Sequence, residues 1–203
     1  MPASPRKERE RHARHRAILA TARELAETEG WQAVTTRRLS EEIEYSQPVL
    51  YSHFRNRQAI VTAVAEEGFA ELVHAVRHAT ADAATTPAAR LHAAGTAYLN
   101  YAATHPAVYQ AMFELATDMT FADSETPPSA TAGFDALRDS VVAAISTDDP
   151  DTLTEIFWSS LHGLASLHAA QRLRDEYQAQ RLRLLVDHLT MTSPYSRRTS
   201  ASS

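Results

Sequence analysis

The chain has 203 residues, 44% of them hydrophobic and 22% charged, with a net charge of −5 and no cysteine. The lack of cysteine excludes disulfides and thiolate metal sites and fits a reducing compartment. No apolar run approaches the roughly 20 residues that span a bilayer, and the first residues lack the apolar core of a signal peptide, so a soluble cytoplasmic protein with no membrane partner is expected.

Charge is distributed unevenly along the chain. Residues 1–60 carry 11 Lys and Arg against 8 Asp and Glu, whereas the remainder carries 9 against 17. The first part would be attracted to a polyanion and the second repelled by it. Residues 1–10 read as an unstructured basic arm. Its cations continue as Arg6, Lys7, Arg9, Arg11, Arg14 and Arg16, interrupted only by Glu8 and Glu10. They form either a solvated tail or an extra set of phosphate contacts. Ile18, Leu19, Ala22, Leu25 and Ala26 then make a helical stripe, which Gly30 stops. Trp31 and Val34 supply the plug of a small core.

Thr35 to Arg57, TTRRLSEEIEYSQPVLYSHFRNR, packs two short helical patterns around a tight connection. Thr35 is an N-cap, with Thr36, Arg37 and Arg38 in the first turn, where hydroxyls, guanidinium groups and a helix N-terminus suit a phosphate. Leu39 and Ile43, four apart, form the inward face of that helix. Ser46 caps the next helix, and Pro48 occupies an early position that has no backbone donor to lose. Leu50 and Phe54 face inward, again four apart. Gln47, Val49, Tyr51, Ser52 and His53 remain outside. Gln can read adenine with two hydrogen bonds and Val can pack on a thymine methyl, while Tyr, Ser and His suit phosphate. The order of these features is that of a helix-turn-helix, one helix bracing on the DNA backbone and the next entering the major groove.

The segment from about Arg14 to Ala65 resembles the DNA-binding domain of the TetR/AcrR family of bacterial transcriptional regulators. The resemblance implies that Thr35, Thr36 and Tyr51 touch phosphate or sugar, that Arg37, Gln47 and Pro48 approach bases, and that His53 and Arg57 hold the backbone. The chain departs from the family in two respects. Where it usually has Gly then Val in the turn, this chain has Glu44 and Tyr45, and a non-Gly residue at positive φ costs about 1 kcal/mol. Arg57 stands where the family usually has Lys.

From Asn56 a long helical pattern runs to about Thr80, with Ile60, Val64, Leu72, Val73 and Val76 on its apolar side. It would join head to body, with Gly68 near its middle as a place of close packing or of give. Thr86 and Pro87 open a helix reaching to His105, and Pro106 begins another. Residues 117–133 read as a long polar loop and a helix runs from about Phe134 to Ile145. Asp149 and Pro150 start the next, and the last spans about Asp175 to Met191. Trp158, His162 and Gly163, together with residues 97–115, resemble the Trp-His-Gly type of C-terminal domain found in part of the same family. The two resemblances cover most of residues 14–190.

That second resemblance implies that the last two helices pair with those of a second copy. Ile156, Gly163, Leu164, Leu167, Leu182, Leu185, Val186 and Leu189 offer apolar stripes for such a homodimer, or serve as core within one chain. Tyr98, Tyr101, Tyr109, Met112, Phe113, Phe121, Trp158 and His162 combine apolar walls with a few polar groups, as a small-molecule pocket does. The family habit is to bind an inducer in this part of the chain.

The expected fold is all-α, about nine helices. A basic arm (1–10) precedes a three-helix helix-turn-helix head (11–56), a ligand-binding and dimerisation body (57–191) and a disordered tail (192–203). The expected function is a dimeric, ligand-responsive repressor of a double-stranded DNA operator, with no cofactor and no metal. Glu71 and His74 form one E-x-x-H, but the second copy used by di-iron bundles is absent, and His78 adds only a possible surface pair. There is no G-x-S-x-G, no H-E-x-x-H and no phosphate-binding Gly loop among only five Gly. No enzyme is therefore expected. The alternative outside catalysis is a scaffold that kept the head fold and lost DNA binding.

Overall fold

The computed structural model describes residues 5–81, 86–116 and 126–191. Among them are nine α-helices and no strand. They are α1 (Pro5–Glu29), α2 (Thr36–Glu42), α3 (Gln47–His53), α4 (Arg57–Ala81), α5 (Pro87–Thr104), α6 (Pro106–Gln110), α7 (Pro128–Ala144), α8 (Pro150–Ala169) and α9 (Gln178–Met191). A π turn, Ala111–Leu115, continues α6, and a 3₁₀ turn, Asp175–Tyr177, precedes α9. No helix among the described residues is long and apolar enough to cross a membrane.

Three expectations on helix limits are corrected. Residues 5–10 are not an unstructured arm but the first turns of α1. Straight-chain residues dominate that stretch, and Arg6 pairs with Glu10 at 2.9 Å, an i,i+4 arrangement that supports a helix even when it is exposed. α7 starts at Pro128 rather than Phe134, because Pro127 takes the cap position and Pro128 the first turn, where no donor is lost. The last helix does not start at Asp175: a 3₁₀ turn intervenes, and the α-helix begins at Gln178. Most of the expected polar loop (117–125) and the expected tail (192–203) lie outside the described residues.

The described chain forms two compact units. The first contains residues 5–68 and 105–116, the second residues 69–81, 86–104 and 126–191. In the first, α1 ends at Gly30, whose φ of 82° is open to glycine without cost. Ile18, Ala22, Val34, Leu39, Leu50, Ile60 and Val61 are completely buried, and Trp31 and Phe54 nearly so. The segment 105–116 is part of this unit. The Trp31 indole N–H donates to the Ala107 carbonyl at 2.8 Å. The Glu27 carboxylate accepts from the backbone N–H groups of Ala107 (3.0 Å) and Val108 (3.2 Å), capping the α6 N-terminus from 80 residues away. Gln58 donates through Nε2 to the Leu115 carbonyl at 2.7 Å. Gly68 lets α4 approach closely, since a Cβ there would lie 2.6 Å from Val108 Cγ1 and 2.8 Å from Met112 Sδ. Gly68 is thus a packing position.

In the second unit α5 packs against α7, α8 and α9. Leu91, Ala94, Val141, Phe157 and Leu161 are fully buried, with Tyr98 and Leu182 almost so. Gly95 admits the Leu182 side chain of α9 to within 2.6 Å of where a Cβ would be. Asp149 caps α8 as its sequence position predicts, accepting from Thr152 N–H at 3.0 Å. That backbone bond holds its carboxyl below the usual range.

Candidate nucleic-acid interface

The interface is built by α2, the turn after it, and α3. The Thr35 hydroxyl accepts from the Arg38 N–H at 3.1 Å, and this cap sets the start of α2. Thr35 and Arg37 are exposed and Thr36 half-buried. The Arg37 guanidinium rests on Glu41 at 2.9 Å, and Arg38 bridges Glu29 and Glu42. These are exposed pairs that orient side chains and add little stability. The turn places Glu44 at φ 54°, the left-handed conformation that its sequence position predicts. Tyr45 N–H closes the turn on the Ser40 carbonyl at 3.1 Å.

Ser46 occupies the N-cap of α3, but through its backbone: its carbonyl accepts from Val49 and Leu50 N–H, and its hydroxyl makes no capping bond. That hydroxyl is left available outside. Leu50 is fully buried and Phe54 is 4% exposed, so α3 is anchored by the face predicted for it. Opposite lie exposed Gln47, Pro48, Tyr51 and Ser52, with Val49 and His53 half-buried. Tyr51 is 50% exposed, a large aromatic ring that the fold leaves in solvent. Ser52 donates to the Val49 carbonyl at 2.6 Å and retains its acceptor lone pairs.

Arg57 is engaged within its own unit. Its Nε donates to the Val34 carbonyl at 2.8 Å and its Nη2 to the Trp31 carbonyl at 2.6 Å. Two donor groups of the fork therefore brace the segment between α1 and α2, and only what remains of the guanidinium faces elsewhere. His53 sits 6.0 Å from His15 and Phe54 stacks on His15 at 4.4 Å. Burial, followed by the neighbouring charges, pushes both imidazoles below the ordinary histidine value.

The residues expected to line a ligand pocket are divided between the units. In the first, Tyr109 and Phe113 have ring centroids 4.7 Å apart, and Met112 packs against Gly68. In the second, the Trp158 indole N–H donates to the Tyr98 hydroxyl at 3.2 Å, and Tyr101 donates to Glu71 at 3.0 Å. His162 lies 3.4 Å from the Ser166 hydroxyl. Phe121 is outside the described residues. His74 and His78 stack with centroids 6.3 Å apart on α4, and no group of three or more metal-ligating side chains occurs among the described residues.

The apolar stripes of α8 and α9 are also divided. Leu182, Val186 and Leu189 are buried within the chain, since that face of α9 packs on α5, and they are core rather than free surface. Ile156 and Leu167 are 48% and 47% exposed, Leu164 and Leu185 half-buried, and a Cβ on Gly163 would meet nothing within 4 Å. Sequence reasoning missed Leu184 and Met191, 60% and 67% exposed and seven apart on α9. Their i,i+7 spacing was the available signal. It also missed Glu27 and Gln58, for which no local signal exists, because their partners lie far along the chain.

Residues 18–64 match the family described as bacterial regulatory proteins of the tetR family, and residues 91–189 match the tetracyclin repressor-like C-terminal domain. The tetracycline repressor protein class C of Escherichia coli is 46% identical over 50 residues, 25% of this chain and 23% of that protein. The match thus spans about a quarter of that relative's length. A protein of unknown function from Rhodococcus sp. RHA1 superposes with a TM-score of 0.76 at 26% identity, covering 87% of this chain and 93% of that one. BioQ bound to its natural double-stranded DNA operator shares the fold at a TM-score of 0.62 and 24% identity, covering 87% of this chain and 97% of that one. The chain belongs to the TetR family of regulatory proteins.

Proposed function

We propose that this TetR-family chain is a cytoplasmic transcriptional repressor. It binds a pseudo-palindromic operator as a homodimer and releases it when a small molecule binds the second unit. The observation that carries the reading is the outer face of α3: Gln47, Pro48 and Tyr51 stand in solvent on a short helix whose other face is buried through Leu50 and Phe54. That helix is rigidly held and offers one amide for base reading and one phenol for phosphate. Catalysis has no part in this reading.

Dimerisation is supported by exposed Ile156 and Leu167 on α8, with half-buried Gly163 between them, and by exposed Leu184 and Met191 on α9. Covering such a surface with a second copy removes apolar area from water, and a dimer presents two α3 helices to half-sites about 34–36 Å apart. For the ligand we favour an aromatic or apolar body with one hydrogen-bonding group, because Tyr98, Tyr101, Trp158 and His162 combine rings with polar atoms. Such a ligand acts only through its preference for a state whose heads no longer fit the operator.

The test is an in-vitro selection of random duplexes, repeated with Tyr51→Ala combined with His53→Ala. Enrichment of one pseudo-palindrome by the wild type and loss of binding in the variant are expected. Gln47→Ala should then relax preference at one base position, costing about 1–3 kcal/mol there. Failure to enrich any sequence would favour a scaffold that has kept the fold only. A panel of apolar and aromatic compounds that changed neither operator affinity nor melting temperature would remove the inducer from the proposal.

A further inference from the structure

Residues 5–17, thirteen in all, precede the first buried position of α1, Ile18, and also precede the family match, which begins at residue 18. They are helical, so at about 1.5 Å per residue they project roughly 20 Å as a rod rather than a floppy arm. They hold six Lys and Arg against two Glu. No large apolar residue lies among them, so the rod has nothing to bury in a lipid surface.

Its cations are not evenly placed. Lys7, Arg11 and Arg14 recur at i, i+4 and i+7, and the next step of the same stripe is Ile18, which is fully buried. This stripe therefore lies on the side that runs down into the first unit's core. Arg9 and Arg16 lie on the opposite side. Where the stripe meets the core, His15 stacks on Phe54 at 4.4 Å and lies 6.0 Å from His53, the last residue of α3. Arg11 and Arg14 are close enough to disfavour the protonated form of His53. Among the described residues neither arginine is in an ion pair, whereas Arg6 is neutralised by Glu10. Two α1 cations thus stand beside the His53 ring at the end of α3, and an anion bound there would favour the His53 proton that they disfavour in the free protein.

We propose that Lys7, Arg11, Arg14 and His53 form a phosphate-binding cluster. It takes backbone phosphates of duplex DNA flanking the bases read by α3. The proposal rests on the DNA-reading assignment of α3 but concerns a site beyond it, on turns of α1 that the family match does not include.

The experiment compares the full chain carrying R11Q and R14Q with one carrying R9Q and R16Q. All four positions are exposed, so both should fold, which circular dichroism and melting temperature verify. Binding to a 40-base-pair mixed-sequence duplex is measured across a salt series; this probe does not depend on knowing an operator. Losing two phosphate contacts should reduce the slope of log affinity against log salt by about 1.8 per chain, at about 0.9 per phosphate. R9Q with R16Q should leave the slope unchanged. Equal reductions in both variants, or none in either, would overturn the cluster in favour of diffuse charge. Loss of binding to phosphatidylglycerol vesicles in R11Q with R14Q, with duplex binding intact, would overturn it in favour of a membrane surface. The two proposals fail separately. A slope difference without an enriched sequence keeps the cluster and removes the sequence reader. An enriched sequence with equal slopes does the reverse, and no duplex binding at the lowest salt removes both.

Discussion

Both units bury an apolar core, but the hydrogen bonds that join distant segments differ between them. The first relies on side chains that grip backbone groups across long sequence separations: Trp31 on Ala107, Glu27 on the α6 N-terminus, Gln58 on Leu115, and Arg57 on Trp31 and Val34. The second relies on apolar stripes and on links between side chains, such as Trp158 with Tyr98 and Tyr101 with Glu71. A hydrogen bond to a backbone atom fixes the path of the chain. A side-chain contact fixes packing and leaves the path some latitude. The difference suits the proposed roles, a first unit that holds α3 in register and a second that pairs with another copy.

Phe157→Ala should have the largest effect. Phe157 is fully buried in the second unit, and its truncation should cost about 3–5 kcal/mol in urea denaturation at fixed protein concentration. A loss below about 1 kcal/mol would mean that the α8 core tolerates a large void, contrary to a packing-held unit. Next is Arg57→Met, which removes the guanidinium donor from the Val34 carbonyl and leaves the Trp31 carbonyl with only the Val34 N–H at 3.2 Å. It should cost about 1–3 kcal/mol of stability while leaving the salt slope of DNA binding unchanged. A reduced slope at wild-type stability would return Arg57 to the phosphate-anchor role expected from its sequence position.

Glu44→Gly works in the opposite direction. With φ at 54°, the turn should gain about 1 kcal/mol from glycine, and removing a carboxylate beside the reading helix should tighten duplex binding. Unchanged melting temperature would show that the turn relaxes around Glu44. The smallest effect is pH-dependent. His53 and His15 are held below their ordinary value of 6.5 by burial and by neighbouring cations, so the folded state favours neutral rings. Their contribution to stability is present above pH 6.5 and is lost as pH falls through the folded values. A phosphate at His53 would favour its proton, so duplex affinity should rise over the same descent. His53→Gln should flatten both curves, and parallel curves for variant and wild type would exclude His53 from either effect.

The helix-turn-helix was legible because its signals are local. Thr35 as a cap, Leu39 four before Ile43, Leu50 four before Phe54, and Glu44 in a tight turn each depend on neighbours within a few residues. The break at Gly30, the start of α8 at Asp149 and the span of α4 were legible for the same reason. The helical state of residues 5–10 was missed because composition and charge suggested a solvated arm, whereas helix propensity and an i,i+4 pair favour continuing α1. Glycine roles were harder to assign. Gly68 and Gly95 are places of close approach, which only the neighbouring helices reveal, while a Cβ on Gly163 would meet nothing within 4 Å.

Family, fold class and the solvent-facing side of α3 follow from the sequence itself, since periodicity, caps and motif order act over short range. Tertiary structure decided which apolar stripe of α9 is core and which is surface, separating Leu182, Val186 and Leu189 from Leu184 and Met191. It also decided that residues 105–116 belong with the head, through the bonds from Glu27, Trp31 and Gln58. Burial and cross-chain hydrogen bonds depend on which distant residues arrive at the same place, and no local pattern encodes that arrival.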